Sequence, residues 1–355
     1  MEFNGRLNSN EIFASLYNAI ISISTFADNI SISESLVNSA RQDGTLYGDT
    51  KLYLSTDVLS SYEWKGDEEA PNLLKLHRPK SPKVQAITLN KFRYIPLTVD
   101  YYLSKRAFMD EGSFSSYTSV LLSWLSETKK LYDVTLYNTF IGTNETDLNG
   151  QLITFEDVSK EVPATLDDAK REALNLANDV ANLVDNLSDL TRQYTDYGFA
   201  RSFDKSRIKI IWNKKYLNRI KNIDLPTIYH NDLFTNLFGE YSLNPKYFGK
   251  KNNGDTQAGN GIRLLSEEMF DDGTDRFGGE LVPTGKSSSN TYTQDDSIIC
   301  KIVIDLPPLM SSFQVGTSFY NPLSLTENKY LIFGYNTLEH LKNYPFITIR
   351  AKSNE

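Results

Sequence analysis

The chain has 355 residues, 40% hydrophobic and 23% charged, a composition that fits folded regions with sizeable cores and excludes a disordered chain. Its 37 basic and 45 acidic residues leave a net charge of −8, which argues against a protein that grips nucleic acid through a basic face. One cysteine, Cys300, rules out an internal disulfide, and no stretch approaches the ~20 apolar residues that a membrane-crossing helix needs.

Residues 1–50 are rich in Ser, Asn and Asp. Ile12, Phe13, Leu16, Ile20 and Ile23 sit at helical spacing and predict a short helix on an N-terminal arm. The run Ile20-Ile21-Ser22-Ile23 is too short for a signal peptide, so synthesis in a cytosol is expected.

Lys51–Glu63 alternates loosely, and Val84–Val99 carries stronger strand signals. Between them, Trp64–Lys83 is charged and holds Pro71, Pro79 and Pro82. This predicts a long hairpin arm over 51–99 with a wide polar tip. Loops of that length inside compact domains are uncommon and usually functional.

Ser113–Ile141 predicts a long amphipathic helix, with Phe114, Tyr117, Leu121, Trp124, Thr128, Leu131 or Tyr132, Leu136 and Phe140 recurring every three or four residues. Gly142 ends it. At 1.5 Å per residue it would run ~43 Å. Gly150–Val158 reads as a short extended piece. Thr165, with Asp168 three residues on, caps a second helix. Its seam is Leu166, Ala169, Ala173, Leu176, Val180, Leu183, Leu187, Leu190 and Tyr194, in a 3-4-3-4 rhythm. That seam fits a coiled coil or a helix lying on a sheet of its own chain. The two alanines favour the sheet, because they permit close approach.

Ile208–Trp212 predicts a strand, Asn213 a cap and Lys214–Lys221 a short helix with Tyr216, Leu217 and Ile220 inward. Thr227–Tyr229 predicts another extended piece, and Gly249–Ser297 a long polar surface loop. Ile298–Leu306 reads as a central strand stopped by Pro307-Pro308. Lys329–Tyr335 and Phe346–Arg350 read as strands, with a short helix at Asn336–Asn343 between them. Strands and helices in this order predict a mixed sheet with helices on its faces.

No catalytic, cofactor or metal site is predicted. The three histidines, His77, His230 and His340, lie in separate segments without paired spacing, and a single cysteine cannot complete a Cys/His zinc site. Gly279–Ser287 resembles a phosphate-binding loop but holds five residues between its glycines where the motif has four. The acidic pairs Glu68-Glu69, Asp167-Asp168, Glu267-Glu268, Asp271-Asp272 and Asp295-Asp296 all lie in polar stretches, which fits solvated surface better than the paired acids of a glycosidase. The 21 Tyr and 19 Phe are spread along the chain and not interleaved with basic residues, so extensive subunit contact accounts for them better than base stacking.

This order of elements resembles the major capsid proteins of tailed phages with the HK97-type fold. The resemblance covers roughly Lys51–Arg350 and rests on element order, without a short signature motif. It implies an α+β fold with an N-terminal arm (1–50), an extended hairpin arm or E-loop (51–99), a spine helix with a peripheral domain (100–203) and an axial domain with a mixed sheet (204–355) carrying a surface insertion at about 249–297. The segment Arg207–Ile220 is similar to the start of that axial domain. Size and composition resemble the capsid proteins of small short-tailed phages. The resemblance implies a non-enzymatic virion protein that assembles with itself into hexamers and pentamers. Partners would include a scaffolding protein, a portal and decoration proteins, and DNA would be held by confinement, without a membrane or cofactor. No charged heptad segment precedes Glu11, so a separate or already removed scaffold is expected. Encapsulin shells share the fold and form the near alternative. A tail protein that binds or hydrolyses carbohydrate is the distant one.

Overall fold

The structure, a computed structural model, describes residues 35–44, 49–63, 76–100, 111–144, 151–221, 241–251, 292–336 and 338–352. The expected helix near Ile12–Ile23, the extended piece at Thr227–Tyr229, His230 and the loop Gly279–Ser287 lie outside the described residues. In chain order the elements are α1 (Ser35–Ala40), β1 (Arg41–Asp43), β2 (Thr50–Ser55), β3 (Lys83–Asp100), α2 (Glu111–Gly142), β4 (Thr143–Asn144), β5 (Leu152–Ser159), α3 (Leu166–Ser188) and β6 (Ile208–Asn213). Then come α4 (Lys214–Lys221), β7 (Tyr241–Leu243), β8 (Gly249–Lys251), β9 (Tyr292–Gln294), β10 (Ile298–Ile304), β11 (Leu309–Asn321), β12 (Thr326–Asn336) and β13 (Phe346–Lys352).

The chain divides into two compact units, one of Met1–Asp49, Leu89–Thr135 and Leu309–Thr337, the other of Thr50–Thr88, Leu136–Pro308 and Leu338–Glu355. The division does not follow the boundaries suggested by sequence. β3 pairs with β2 only over Lys83–Thr88; from Leu89 to Asp100 it pairs with β12. β5 and α3, expected apart from the axial sheet, belong to the same unit as that sheet, because β5 pairs in parallel with β13. Such a pairing joins residues about 200 apart in sequence, and local periodicity carries no sign of it.

In the first unit, β12 lies antiparallel between β11 and the later part of β3, and β1 runs parallel along the start of β11. The strand β11 was not anticipated. Its Ser, Gly and Gln residues lack the β-branched run that marks a strand, and pairing with its neighbours supplies what propensity does not. Tyr132 of α2 meets Phe333 edge-on at 5.6 Å, and its hydroxyl lies 2.7 Å from that of Tyr335.

The expected amphipathic stripe of α2 is corrected by its burial. Trp124, assigned to the inner face, is 47% exposed, while every residue from Tyr132 to Gly142 is buried. Polar Asp133, Thr135, Asn138 and Thr139 fall in that run. A charge can be buried there because it is paired: Lys129 Nζ donates to Asp133 Oδ2 at 2.7 Å, and Arg41 approaches the same carboxylate at 3.5 Å.

In the second unit the sheet order is β5-β13-β10-β6-β7. All of β10 is buried, as expected of a central strand without polar alternation. The helix α3 packs on this sheet: Ala173, Leu176, Val180, Leu183 and Leu187 share one core with Trp212, Ile302 and Ile347. The sheet alternative for the heptad seam therefore holds. Leu166 and Leu190 of the seam are exposed, whereas its last member, Tyr194, packs half-buried against the same core. Thr165 caps the helix, its Oγ1 accepting from the Asp168 N–H at 3.2 Å. Thr165→Ala is expected to cost about 1 kcal/mol, read as a lower denaturant midpoint at unchanged slope. Asn213 caps α4 through its Oδ1, which accepts from the Lys215 N–H at 3.0 Å, and Tyr216, Leu217 and Ile220 are buried as expected.

Two further expectations are corrected. Asn336–Asn343 is not a helix: Asn336 ends β12, 338–341 is irregular, and a turn follows at Lys342-Asn343. Leu338 and Leu341 are buried, which explains the helix-like spacing, but the His340 carbonyl and the Lys342 N–H bond to the distant side chain of Gln85. Gly249–Ser297 is not loop throughout, because β8 and β9 pair antiparallel at its two ends and β8 runs parallel to β4. Its middle, 252–291, lies outside the described residues.

Candidate assembly surface

The hairpin of β2 with Lys83–Thr88 has two unlike faces. Cross-strand partners Leu54↔Val84 and Leu52↔Ala86 lie on one face. Leu52 and Leu54 are 68% and 66% exposed, and Val84 and Ala86 are exposed with them. The alternate residues Ser55, Gln85 and Ile87 are buried. A strand pair of period two has thus turned Ser55 and Gln85 inward beside Ile87, and an apolar row outward. Val58, Leu59, Tyr62 and Leu76 add exposed apolar surface just beyond the strands. Scattered exposed leucines mean little, but a contiguous apolar face marks a contact surface.

The other face is fixed by polar locks. Gln85 Nε2 donates to the His340 carbonyl at 2.9 Å, and its Oε1 accepts from the Lys342 N–H at 3.0 Å. His340 Nε2 lies 2.9 Å from Asp196 Oδ2, and Gln151 Nε2 donates to Asp196 Oδ1 at 2.7 Å. One side-chain amide thereby ties the hairpin to the segment before β13, and through Asp196 to the start of β5.

A second lock closes on Asp57, just past β2. Its side chain is 1% exposed. Oδ2 accepts from Lys80 Nζ at 2.8 Å and from Arg192 Nη1 at 2.9 Å, and Oδ1 accepts from the N–H groups of Val58 at 2.9 Å and Ala200 at 3.1 Å. Arg201 also donates to the Thr56 carbonyl. The donors Lys80 and Arg192, in that order of weight, hold the Asp57 carboxyl well below the usual carboxylate range. Arg192, Ala200 and Arg201 belong to the turn after α3, closed by paired backbone bonds between Thr191 and Arg201 of 2.8 and 2.9 Å. In that turn Tyr194 and Gly198 have positive φ, 66° and 59°.

The first unit has its own apolar projection. The β11–β12 hairpin exposes Phe319, Tyr320, Leu323 and Leu325, with Leu323 at 96%.

Among the described residues the structure brings no histidines together. His77 is exposed, its ring 4.6 Å from that of Tyr62, and His340 serves the lock just described. Among the described residues no three His, Cys, Asp or Glu side chains gather as a metal site. Of the acidic pairs, Asp168 belongs to the α3 cap, while Asp295 meets Arg350 at 3.2 Å and Asp296 meets Lys215 at 3.0 Å. Glu68-Glu69, Glu267-Glu268 and Asp271-Asp272 lie outside the described residues, as does the arm tip at 64–75. Lys80, in the charged stretch before β3, pairs with Asp57. Asp57 itself carries no local sequence signal, for three of its four partners lie 23, 135 and 143 positions away.

No family model and no curated protein matches the chain. Solved structures do. A chain in the capsid structure of Staphylococcus phage Andhra is similar with a TM-score of 0.59 at 12% identity, over 91% of this chain and 86% of that one. A chain in the structure of the head fiber and inner core protein gp22 of native bacteriophage P68 is similar with a TM-score of 0.57 at 11% identity, over 92% of this chain and 86% of that one. The chain thus has a mixed α+β fold, shared with these two chains. At these identities it is the fold that is shared.

Proposed function

We propose that the chain is the major capsid protein of a tailed phage, a non-enzymatic shell subunit that self-assembles into hexamers and pentamers and resides in the virion. The observation that carries this is fold likeness to a phage capsid chain over nine-tenths of the sequence. The hairpin supports it, since a face with Leu52, Leu54 and Val84 exposed suits a neighbouring copy better than water. In this reading the hairpin is the E-loop, α2 the spine helix, and the sheet with β10 at its centre the axial domain. Scaffolding, portal and decoration proteins are the partners of such a subunit. The net charge of −8 fits a wall that confines duplex DNA without binding it tightly.

The test is assembly of the purified chain, alone and with a candidate scaffolding protein, followed by sedimentation and negative-stain imaging. Closed shells or ring-shaped capsomers are expected. Stable monomer across all salt and scaffold conditions would overturn the proposal, and shells filled with protein cargo would point to a storage compartment instead.

A further inference from the structure

The hairpin meets the rest of its unit through side-chain hydrogen bonds and ion pairs. Its apolar residues mostly face outward. This is the reverse of how a strand pair is normally held, and it makes the attachment reversible. An isolated two-stranded hairpin is marginally stable in water. What keeps this one in a set direction is therefore concentrated in a few polar contacts. Asp57 accepts from four groups at once. Its carboxylate joins the outgoing strand (through Val58), the returning one (through Lys80) and the turn at 191–201 (through Arg192 and Ala200). Three pieces of chain are gathered on two oxygen atoms.

We infer that Asp57 is a releasable latch that sets the direction of the hairpin and thereby when its apolar face is presented to a neighbouring copy. This rests on the capsid reading for its purpose but not for its mechanics. With the latch closed, residues 50–58 and 80–88 hold one orientation. With the carboxylate neutralised, Lys80 and Arg192 lose their shared anion, while the Arg201 bond to the Thr56 carbonyl and the Gln85 lock remain. The charged groups around the latch are Lys80, Arg192 and Arg201, all cationic. Acid is therefore the natural release. A carboxyl whose folded pKa is depressed contributes its full effect above the ordinary carboxylate pKa of ~4, and loses it as pH falls through the lower folded value.

The test uses the full chain as unassembled subunit, with wild type, Asp57→Asn and Asp57→Ala compared by hydrogen exchange resolved to segments. Asp57→Asn keeps acceptors for Val58 and Ala200 but removes the charge. Both variants are expected to exchange at least ~10-fold faster across Thr50–Ser55 and Lys83–Thr88, with the Ile298–Ile304 strand and the thermal midpoint unchanged. Wild type should show the same loosening as pH is lowered below ~4, and Asp57→Asn should show no further change over that range. Lys80→Ala, which leaves the carboxylate in place, should give a partial effect and serves if the Asp57 variants fail to fold. Hairpin exchange unaltered in all variants would overturn the latch, as would loosening spread evenly over the whole subunit. Failure of the wild type to form shells would overturn the capsid reading while leaving the exchange result intact.

Discussion

Replacing Leu52 and Leu54 by lysine is expected to leave a folded subunit that no longer closes shells. Both side chains are about two-thirds exposed, so the subunit loses little buried area when they change. Substitutions at such positions usually alter stability by no more than ~0.5 kcal/mol. Against a neighbouring copy the balance is different. Full burial of a leucine contributes roughly 1.5–3 kcal/mol. The replacement forfeits that at two adjacent positions and asks the partner to cover two ammonium groups instead. A shell repeats each contact in every copy, so a loss too small to abolish one pairing is enough to abolish closure. Circular dichroism and thermal unfolding should match wild type, while sedimentation should show free subunits or small rings. Normal shells from the double variant would show that this face is not an interface. A misfolded variant would show that it packs within the subunit after all. This test is cleaner than removing the whole tip from Lys65 to Pro82, because that deletion takes Lys80 from Asp57 as well.

Gly142→Ala is expected to cost more than any other single-methyl change in the second unit. A Cβ at this position would sit 1.9 Å from the Tyr247 carbonyl oxygen and 2.5 Å from its carbon. Both are backbone atoms, and the segment holding them is tied down. Tyr247 is buried, and the Phe248 carbonyl accepts from the Asp295 N–H at 3.0 Å. Neither side can yield by a rotamer change. Overpacking of an ordinary core costs ~1–3 kcal/mol, and a contact this short should exceed it. Set against a total stability of about 5–15 kcal/mol for a folded domain, the variant should express largely insoluble or melt many degrees lower. A thermal midpoint within a degree of wild type would show that the helix end and the Tyr247 segment can part freely.

Gly142 also illustrates what sequence conveys. The glycine expected at the helix end does stand there. Its reason, a helix-stopping residue, was not the operative one: among the described glycines only Gly198 has a positive φ, and Gly142 is small because another strand of chain crosses it. The same split recurs elsewhere. Elements that carry their own signal were legible: the cap at Thr165, the unbroken apolar run Ile298–Ile304, the Asn213 cap. Elements defined by distant partners were not. β11 is a strand because β12 lies beside it, and 338–343 is not a helix because Gln85, some 255 positions away, takes its backbone groups. Burial of the last part of α2, Tyr132 to Gly142, on all sides was hidden because Lys129 and Asp133 cancel each other inside. The hairpin was legible as an element. Its outward apolar face follows from period-two alternation only once one knows which face is docked, and that is decided by Asp57 and Gln85 contacting residues far along the chain.

The lone thiol has a practical consequence. Cys300 lies at the middle of the central strand, paired to Trp212 on one side and Ile349 on the other, with no exposed surface. Burial raises its pKa far above the ordinary thiol range, so it is neither accessible nor ionised while the sheet is closed. A thiol reagent added to intact protein can react only through molecules whose sheet has opened. The rate of labelling then counts openings one by one, without a probe having to be engineered in. Measured on free subunits and again on assembled material, it would report how much slower the sheet opens once each copy is held by its neighbours.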